Sequence, residues 1–293
     1  MITLTLFFEI LVGGIILGAL YSLIAVGLNL QYGVTRMLNV AHGDFLMLGA
    51  YITYFSFTLF GINPFASMIV VAPLMFLIAL IVYASILQRV VKISKSAEEV
   101  EWRSLLLCFG LSFVIQNVAM ILWTANYRGY EAPSLGLVNI FGVTFEVNRI
   151  VIALISIIIN VSLYLFLRFT KLGMAMRATV EQPEGAQLVG INIFMISAFS
   201  FSLGAILSGW AGTLISTFTT LNPFMGSSYT LIALVLVILA GIGSFKGNIV
   251  GGFLIGFLAY LTMRVIHSVL TLVVIYSCLI VILLVRPQGL FAR

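Results

Sequence analysis

From Gly185 to Phe245 the chain carries not one formally charged residue. A stretch of that length, rich in leucine, isoleucine, phenylalanine and glycine, has no way to present a soluble surface, for which about 25% charged residues is usual. The remainder points the same way: over 293 residues only 8% are charged and 62% are hydrophobic, with a mean hydropathy of +1.22. The chain therefore reads as an all-α, polytopic integral membrane protein. At ~20 residues per span the membrane segments use up nearly all of it, so a single transmembrane domain over 1–293 is expected, with no separate folded domain.

Apolar runs of about 18 residues or more place candidate spans at 6–30, 38–60, 65–88, 104–124, 150–168, 193–221, 228–243, 248–266 and 268–286. Nine is the working count within a range of eight to ten, since the run at 228–243 is short and the breaks at 31–44 and 241–248 could be re-entrant. Asn63-Pro64, Asn222-Pro223 and the GIGSFKG stretch Gly241 to Gly247 mark breaks. The amino-terminal run lacks a basic flank and exceeds a signal core in length, so it reads as a retained first span. If 169–192 is cytoplasmic, eleven of the fourteen basic residues fall inside and only Arg128, Arg149 and Arg264 outside. That asymmetry predicts the amino terminus out and the carboxyl terminus in. The net charge of +5 is thereby explained by orientation, with no patch for nucleic acid.

Two loops stand out. The outer passage 125–148 alternates Leu137, Val138, Ile140, Phe141, Val143, Phe145 and Val147 around Gly142, the pattern of a small β-hairpin. It suits either docking of an external protein or packing on helix ends. The inner passage Arg168 to Asn192 ends in a short helix with both ends written in. Gln182 can cap, Pro183 suits the first helical position, Glu184 complements the dipole and Gly190 suits the stop. Two turns are marginal alone, so contacts must hold them.

No catalytic set is present. Gly241 to Lys246 lacks the second glycine and the hydroxyl of a phosphate loop, so the chain is expected neither to bind nor to hydrolyse ATP. His42 and His267 are too few and too separated for a metal site, and Cys108 and Cys278 read as small buried hydrophobes. No carboxylate series crosses the spans as a proton relay would require. Rows of small residues, Gly204, Ser208 and Gly212 beside Ala205 and Gly209, suit close helix packing. Gly14 with Gly18, and Gly247 with Gly251, repeat the theme.

The densest polar cluster in apolar sequence is Asn29, Gln31, Asn39, His42 and Asp44. A charge at the bilayer centre costs roughly 2.5–3.5 kcal/mol on insertion scales, so Asp44 needs an interface, a cavity or a partner, with Arg36 and His42 as candidates. The cluster is a capped cytoplasmic turn, part of a translocation path, or a subunit interface. Gln116 and Asn117, mid-span in the fourth run, are interhelical amide glue or a pathway lining.

Four segments carry a family resemblance: YGVTRMLNVAHGDFLMLGAY from Tyr32, KLGMAMRATVEQPEGAQLVGIN from Lys171, LAGIGSFKGNIVGG from Leu239, and RPQGLF from Arg286. Together they resemble the membrane permeases of branched-chain amino acid ABC importers, over nearly the whole chain. Sugar permeases of related architecture carry a loop like the second. The resemblance implies a type II-like importer permease with a coupling helix in an EAAxxxG loop. Glu184, Gly185, Ala186 and Gly190 occupy its positions, Gly185 replacing the usual alanine at about 1 kcal/mol of helix propensity. In that reading Ala186 and Val189 face an ATPase, Glu184 and Arg177 contact its rim, and Gly190 ends the helix. Asn29, Asn39, His42, Gln116 and Asn117 are the translocation-path candidates.

The implied working unit is a complex in the cytoplasmic (inner) membrane: this permease among lipid, a second and usually different permease, two cytoplasmic ATPase subunits, and an extracytoplasmic substrate-binding protein. ATP and Mg would sit in the ATPases, with no cofactor in this chain. The implied cargo is leucine, isoleucine or valine. Alternatives are urea, short amides or another small organic substrate on the same architecture; a stand-alone secondary carrier or channel; and a structural subunit with no pathway.

Overall fold

A computed structural model describes residues 2–140, 142–241, 243–286 and 289. Phe141 of the hairpin, Ile242 of the glycine-rich break, most of the RPQGLF segment and the carboxyl-terminal Arg293 lie outside them. The described elements are α1 (Ile2–Thr35), α2 (His42–Phe60), α3 (Met68–Val82), a π-turn (Tyr83–Leu87), α4 (Gln88–Ile93), α5 (Ala97–Trp123), β1 (Leu137–Ile140), β2 (Val143–Glu146), α6 (Val147–Phe169), α7 (Lys171–Glu181), α8 (Pro183–Leu188), α9 (Ile193–Ser216), α10 (Met225–Ala240), α11 (Phe245–Val265), a 3-10 turn (Ser268–Leu270) and α12 (Thr271–Val285). Among the described residues, eight helical segments are long and apolar enough to cross a membrane, and Met225–Ala240 is apolar but shorter. The count of nine thus resolves into eight full spans and one partial one.

The chain forms two compact units, with α1, α6 and α10 each contributing a part to both. The first unit comprises the described parts of 1–26, 133–162 and 232–293. Its core contact is α1 against α11. A Cβ on Gly14 would stand 2.9 Å from the Phe257 Cα, and one on Gly18 2.8 Å from the Phe253 Cα. The answering row on α11 is Gly252 and Gly256, set against Ser22 and Gly18, rather than Gly247 and Gly251; Gly251 faces the Leu239 side chain instead. Arg264 pairs with Glu9 at 2.8 Å. Between α10 and α11, Gly241 and Gly243 take positive φ and Ser244 caps α11. The hairpin is present: Leu137 pairs with Glu146 and Ile140 with Val143, and Gly142 takes φ +85° at the turn.

The second unit comprises 27–132 and 163–231. Here α2 and α9 run side by side with almost nothing between them. A Cβ on Gly212 would overlap the Leu46 carbonyl oxygen, and one on Gly49 would overlap that of Gly209. Small residues permit this approach and dispersion rewards it. The apolar core beneath joins Phe45, Val71, Met75, Tyr83, Cys108 and Phe201. Cys108 is fully buried, as its small apolar side chain suggests, whereas Cys278 of the other unit is only half-buried.

Helix α5 serves as a ruler for depth. Tyr32 donates to Glu101 (2.7 Å), the Leu38 N–H to the Ser104 hydroxyl (3.2 Å), Gln116 to Asp44 (2.9 Å), and Tyr51 stacks on Trp123 at 4.3 Å. Between Ser104 and Gln116 α5 rises roughly 18 Å. The first span therefore does not end at residue 30. It continues as helix to Thr35, and the non-helical segment 36–41 then climbs back alongside α5 before α2 begins. Irregular backbone at such depth is tolerated only inside protein. Met37, Asn39 and Ala41 are fully buried, and the Thr35 hydroxyl takes the Met37 N–H (3.2 Å).

The same local pattern occurs twice. Leu38-Asn39 precedes Gly43 by the spacing at which Leu221-Asn222 precedes Gly226, and each glycine is the second residue of its helix, α2 or α10. The two helix starts touch: a Cβ on Gly226 would stand 2.5 Å from the Gly43 carbonyl oxygen, and one on Gly43 would overlap that of Gly226. At the far end of this unit, Arg128 and Leu221 exchange backbone hydrogen bonds (2.9 and 2.7 Å). Tyr130 bonds Ser216 (2.8 Å), and burial pushes its phenol up to about 12.

Candidate functional site

The polar residues of the α1–α2 connection converge on one amide. Gln31 Nε2 donates to the Phe201 carbonyl on α9 (2.9 Å). Its Oε1 accepts from Asn39 Nδ2 (2.9 Å) and lies 3.2 Å from His42 Nδ1. Because that oxygen can only accept, the His42 proton sits on Nδ1. Ser208 closes the cluster by donating to the His42 carbonyl (2.7 Å). Gln31, Asn39 and His42 are each 0% exposed, so this node clamps the irregular segment to α9. Gly204 makes room for it, since a Cβ there would overlap Gln31 Cγ.

Asp44 belongs to a neighbouring pair. Neither Arg36 nor His42 is its partner, contrary to expectation. Arg36 is exposed, and the carboxylate accepts from Gln116, which also donates to Ser112 (3.0 Å). Asn29 is buried. Asn117 is set apart from both clusters: it is exposed and donates to the Phe113 carbonyl of its own helix (2.8 Å). Among the path candidates, Asn39 and His42 are brought together by Gln31, and Gln116 is tied to Asp44. Hydroxyl groups overlooked in the sequence extend the polar seam. Thr53 donates to Thr213 (2.8 Å), Ser67 to Thr53 (3.1 Å), and Thr230 accepts the Gly43 N–H (2.8 Å). Threonine and serine inside apolar runs satisfy their own helix so often that the sequence marks none of them.

The inner passage holds two helices where one is expected. Thr170 caps α7 by accepting the Gly173 N–H (3.0 Å), and Arg177 reaches the Arg168 carbonyl (3.3 Å). Gln182 stands at the start of α8 in extended conformation, yet its side chain makes no capping bond. The end of α8 is fully formed: the Ile191 N–H bonds the Ala186 carbonyl and the Gly190 N–H that of Gln187, with Gly190 at φ +86°. These are the two bonds of a Schellman stop. Ala186 is 3% exposed and packs inward, so it is not available to a partner as expected; Leu188 (89%) and Val189 (77%) are the outward apolar residues. Glu184 is exposed and Gly185 half-buried, beneath the side chain of Gln182.

The family model for the permease component of the branched-chain amino acid transport system matches residues 10–283. The chain is 30% identical to the high-affinity branched-chain amino acid transport system permease protein LivH of Escherichia coli (strain K12), over 98% of this chain and 96% of the relative. It is 31% identical to the corresponding permease protein BraD of Pseudomonas aeruginosa, over 97% and 95%. A shorter likeness, 32% over 36% of this chain and 34% of the relative, is to the ribose import permease protein RbsC of Haemophilus influenzae. No solved structure matches the chain significantly. Eight apolar helices long enough to span a membrane, close glycine contacts between α1 and α11 and between α2 and α9, and likeness over nearly the full length all meet in one assignment: the chain belongs to the permease family of branched-chain amino acid transport systems.

Proposed function

We propose that this chain is the transmembrane permease subunit of an ATP-driven importer that moves leucine, isoleucine and valine across the cytoplasmic membrane. The names of its near-full-length relatives support the cargo. In this reading the chain supplies half of the pathway, and a second permease subunit the other half. A binding protein delivers cargo at the outer face, where the hairpin stands. Two cytoplasmic ATPase subunits hold the ATP and Mg, and the excess of basic residues around 169–192 supports placing that passage on their side.

The observation that carries the coupling role is the exposure of Leu188 and Val189 at the tip of α8. Two large apolar side chains at the end of a six-residue helix, Leu188 its last residue and Val189 its cap, outside the spans and gripped by a Schellman stop, gain when a partner covers them. Glu184 and Arg177 flank them as polar contacts. Ala186 acts inward, fixing α8 to its own subunit so that a push on the tip reaches the spans.

The test is co-purification of the assembled importer from membranes. Leu188→Asp with Val189→Asp should release the ATPase subunits and abolish ATP-driven leucine uptake while leaving the permease in the membrane at normal level. Retention of the ATPases by that double variant sinks the coupling role, and uptake driven by an ion gradient without ATP sinks the importer reading.

A further inference from the structure

Between Glu146 and Glu181 the chain carries no acidic residue. Within that stretch Arg168, Lys171 and Arg177 gather where α6 ends and α7 begins. All three are exposed, and among the described residues none of them forms an ion pair; the pairs present join Arg103 to Glu99, Arg149 to Glu146 and Arg264 to Glu9. The basic residues around α4 and the start of α5, Arg89, Lys92, Lys95 and Arg103, are by contrast interleaved with Glu98, Glu99 and Glu101.

The α6–α7 elbow is tightly built. Thr170 donates to the Phe166 carbonyl (2.7 Å) and caps α7. A Cβ on Gly173 would overlap the Phe166 carbonyl oxygen, so the first turn of α7 lies on the last turn of α6. Arg168 donates to the Tyr164 hydroxyl (3.1 Å), its guanidinium stands 5.4 Å from the centre of the Phe169 ring, and Arg177 reaches the Arg168 carbonyl (3.3 Å). Positive charge is thus held at one corner with no anion to offset its repulsion. The surface beside it is apolar. Leu165 shares a side of α6 with Arg168 and Phe169 at i, i+3 and i, i+4, and Leu165 is 47% exposed and Phe169 68%. Leu165 lies within the membrane-crossing run Val147–Phe169, where an acyl chain has access and a water-soluble partner has none.

We propose that this elbow binds an anionic phospholipid: Arg168 and Lys171 take the charged head, and an acyl chain lies along Phe169 and Leu165. The guanidinium offers paired N–H donors to two phosphate oxygens, and the lysine ammonium adds a point charge. The bound lipid fixes the depth at which α7, and α8 after it, leave the bilayer. The site is separate from the cargo and from the contacts of the α8 tip.

The experiment places the complete importer in phosphatidylcholine nanodiscs containing a small fraction of phosphatidylglycerol with a photoreactive acyl chain, and reads lipid attachment by peptide mass spectrometry. Wild type should be labelled within 163–174. Excess unlabelled phosphatidylglycerol should displace the label, and the same probe with a choline head should leave the segment at background. Arg168→Gln with Lys171→Gln should lower labelling there by roughly 10-fold or more, the loss expected for two cations at a charged surface, with the ATPases still bound. Arg168→Lys with Lys171→Arg keeps the charge and should keep the labelling. Labelling unchanged in the double glutamine variant, or equal labelling by the choline probe on wild type, overturns the site. Loss of the ATPases from that variant with labelling retained assigns the surface to those subunits and overturns it too. If the variant does not assemble, the two probes on wild type decide alone. A complex that labels as expected but imports no branched-chain amino acid overturns the import reading and leaves the lipid site standing.

Discussion

At the scale of a residue, one methyl group distinguishes a packing glycine from an incidental one. On Gly212 the added carbon would overlap the Leu46 carbonyl oxygen, whereas at Gly110 nothing lies within 4 Å. Both sit inside helices, where alanine is intrinsically favoured by about 0.5–1 kcal/mol. Gly110→Ala should therefore be neutral or stabilising by that amount. Gly212→Ala should cost about 1–3 kcal/mol, because the obstacle is backbone and cannot rotate away. Thermal unfolding in one detergent, monitored in parallel, checks the pair, and equal shifts in both would refute close packing at Gly212. The rows of small residues were legible in the sequence on α9, but their partners were not. Gly252 and Gly256, rather than Gly247 and Gly251, answer Gly18, because the crossing of α1 and α11 selects one face of α11 and several faces carry glycine.

At the scale of an element, the segment 36–41 depends on a single amide. Removing it in Gln31→Leu takes one hydrogen-bond partner each from the Phe201 carbonyl, Asn39 Nδ2 and His42 Nδ1. At about 1–3 kcal/mol for each buried partner lost, the expected loss is roughly 3–9 kcal/mol, with faster backbone hydrogen exchange confined to 36–44. Uniform exchange changes across α9 would instead show that Gln31 supports the whole helix. Local signals were read well where geometry is local. Gly190 stops α8 and Gly142 turns the hairpin, since a left-handed φ within a few residues of an apolar pattern is visible in the sequence itself. Distant pairings were not: Gln31 resembled the end of a span because its partners on α9 and α2 are invisible in one dimension. For the same reason the inward side of α8 was misassigned at Ala186; which side of a six-residue helix is buried is decided by α7 and α9.

At the scale of the molecule, the distribution of basic residues predicts which side each loop faces. With Cys108 and Cys278 replaced by serine, Glu131→Cys should react with a membrane-impermeant maleimide on intact cells. Glu184→Cys should react only after the membrane is opened. The reverse pattern would invert the orientation and remove α8 from the ATPase side. The number of full spans was readable to within one. The exception, α10, is shorter because its helix begins only at Met225, beside Gly43, which hydropathy alone renders merely as a short apolar run.

That meeting of Gly43 with Gly226 differs in kind from the neighbouring contacts. Where α2 runs beside α9, Ser208 donates to the His42 carbonyl and Gly212 seats the Leu46 carbonyl, so the two helices are interlocked. Where α2 meets α10, glycine backbone lies on glycine backbone, and the Thr230 hydroxyl, accepting the Gly43 N–H, is the side chain that spans the joint. Bare backbone against bare backbone behaves as a bearing: the two helix starts can swivel on each other without any rotamer having to change.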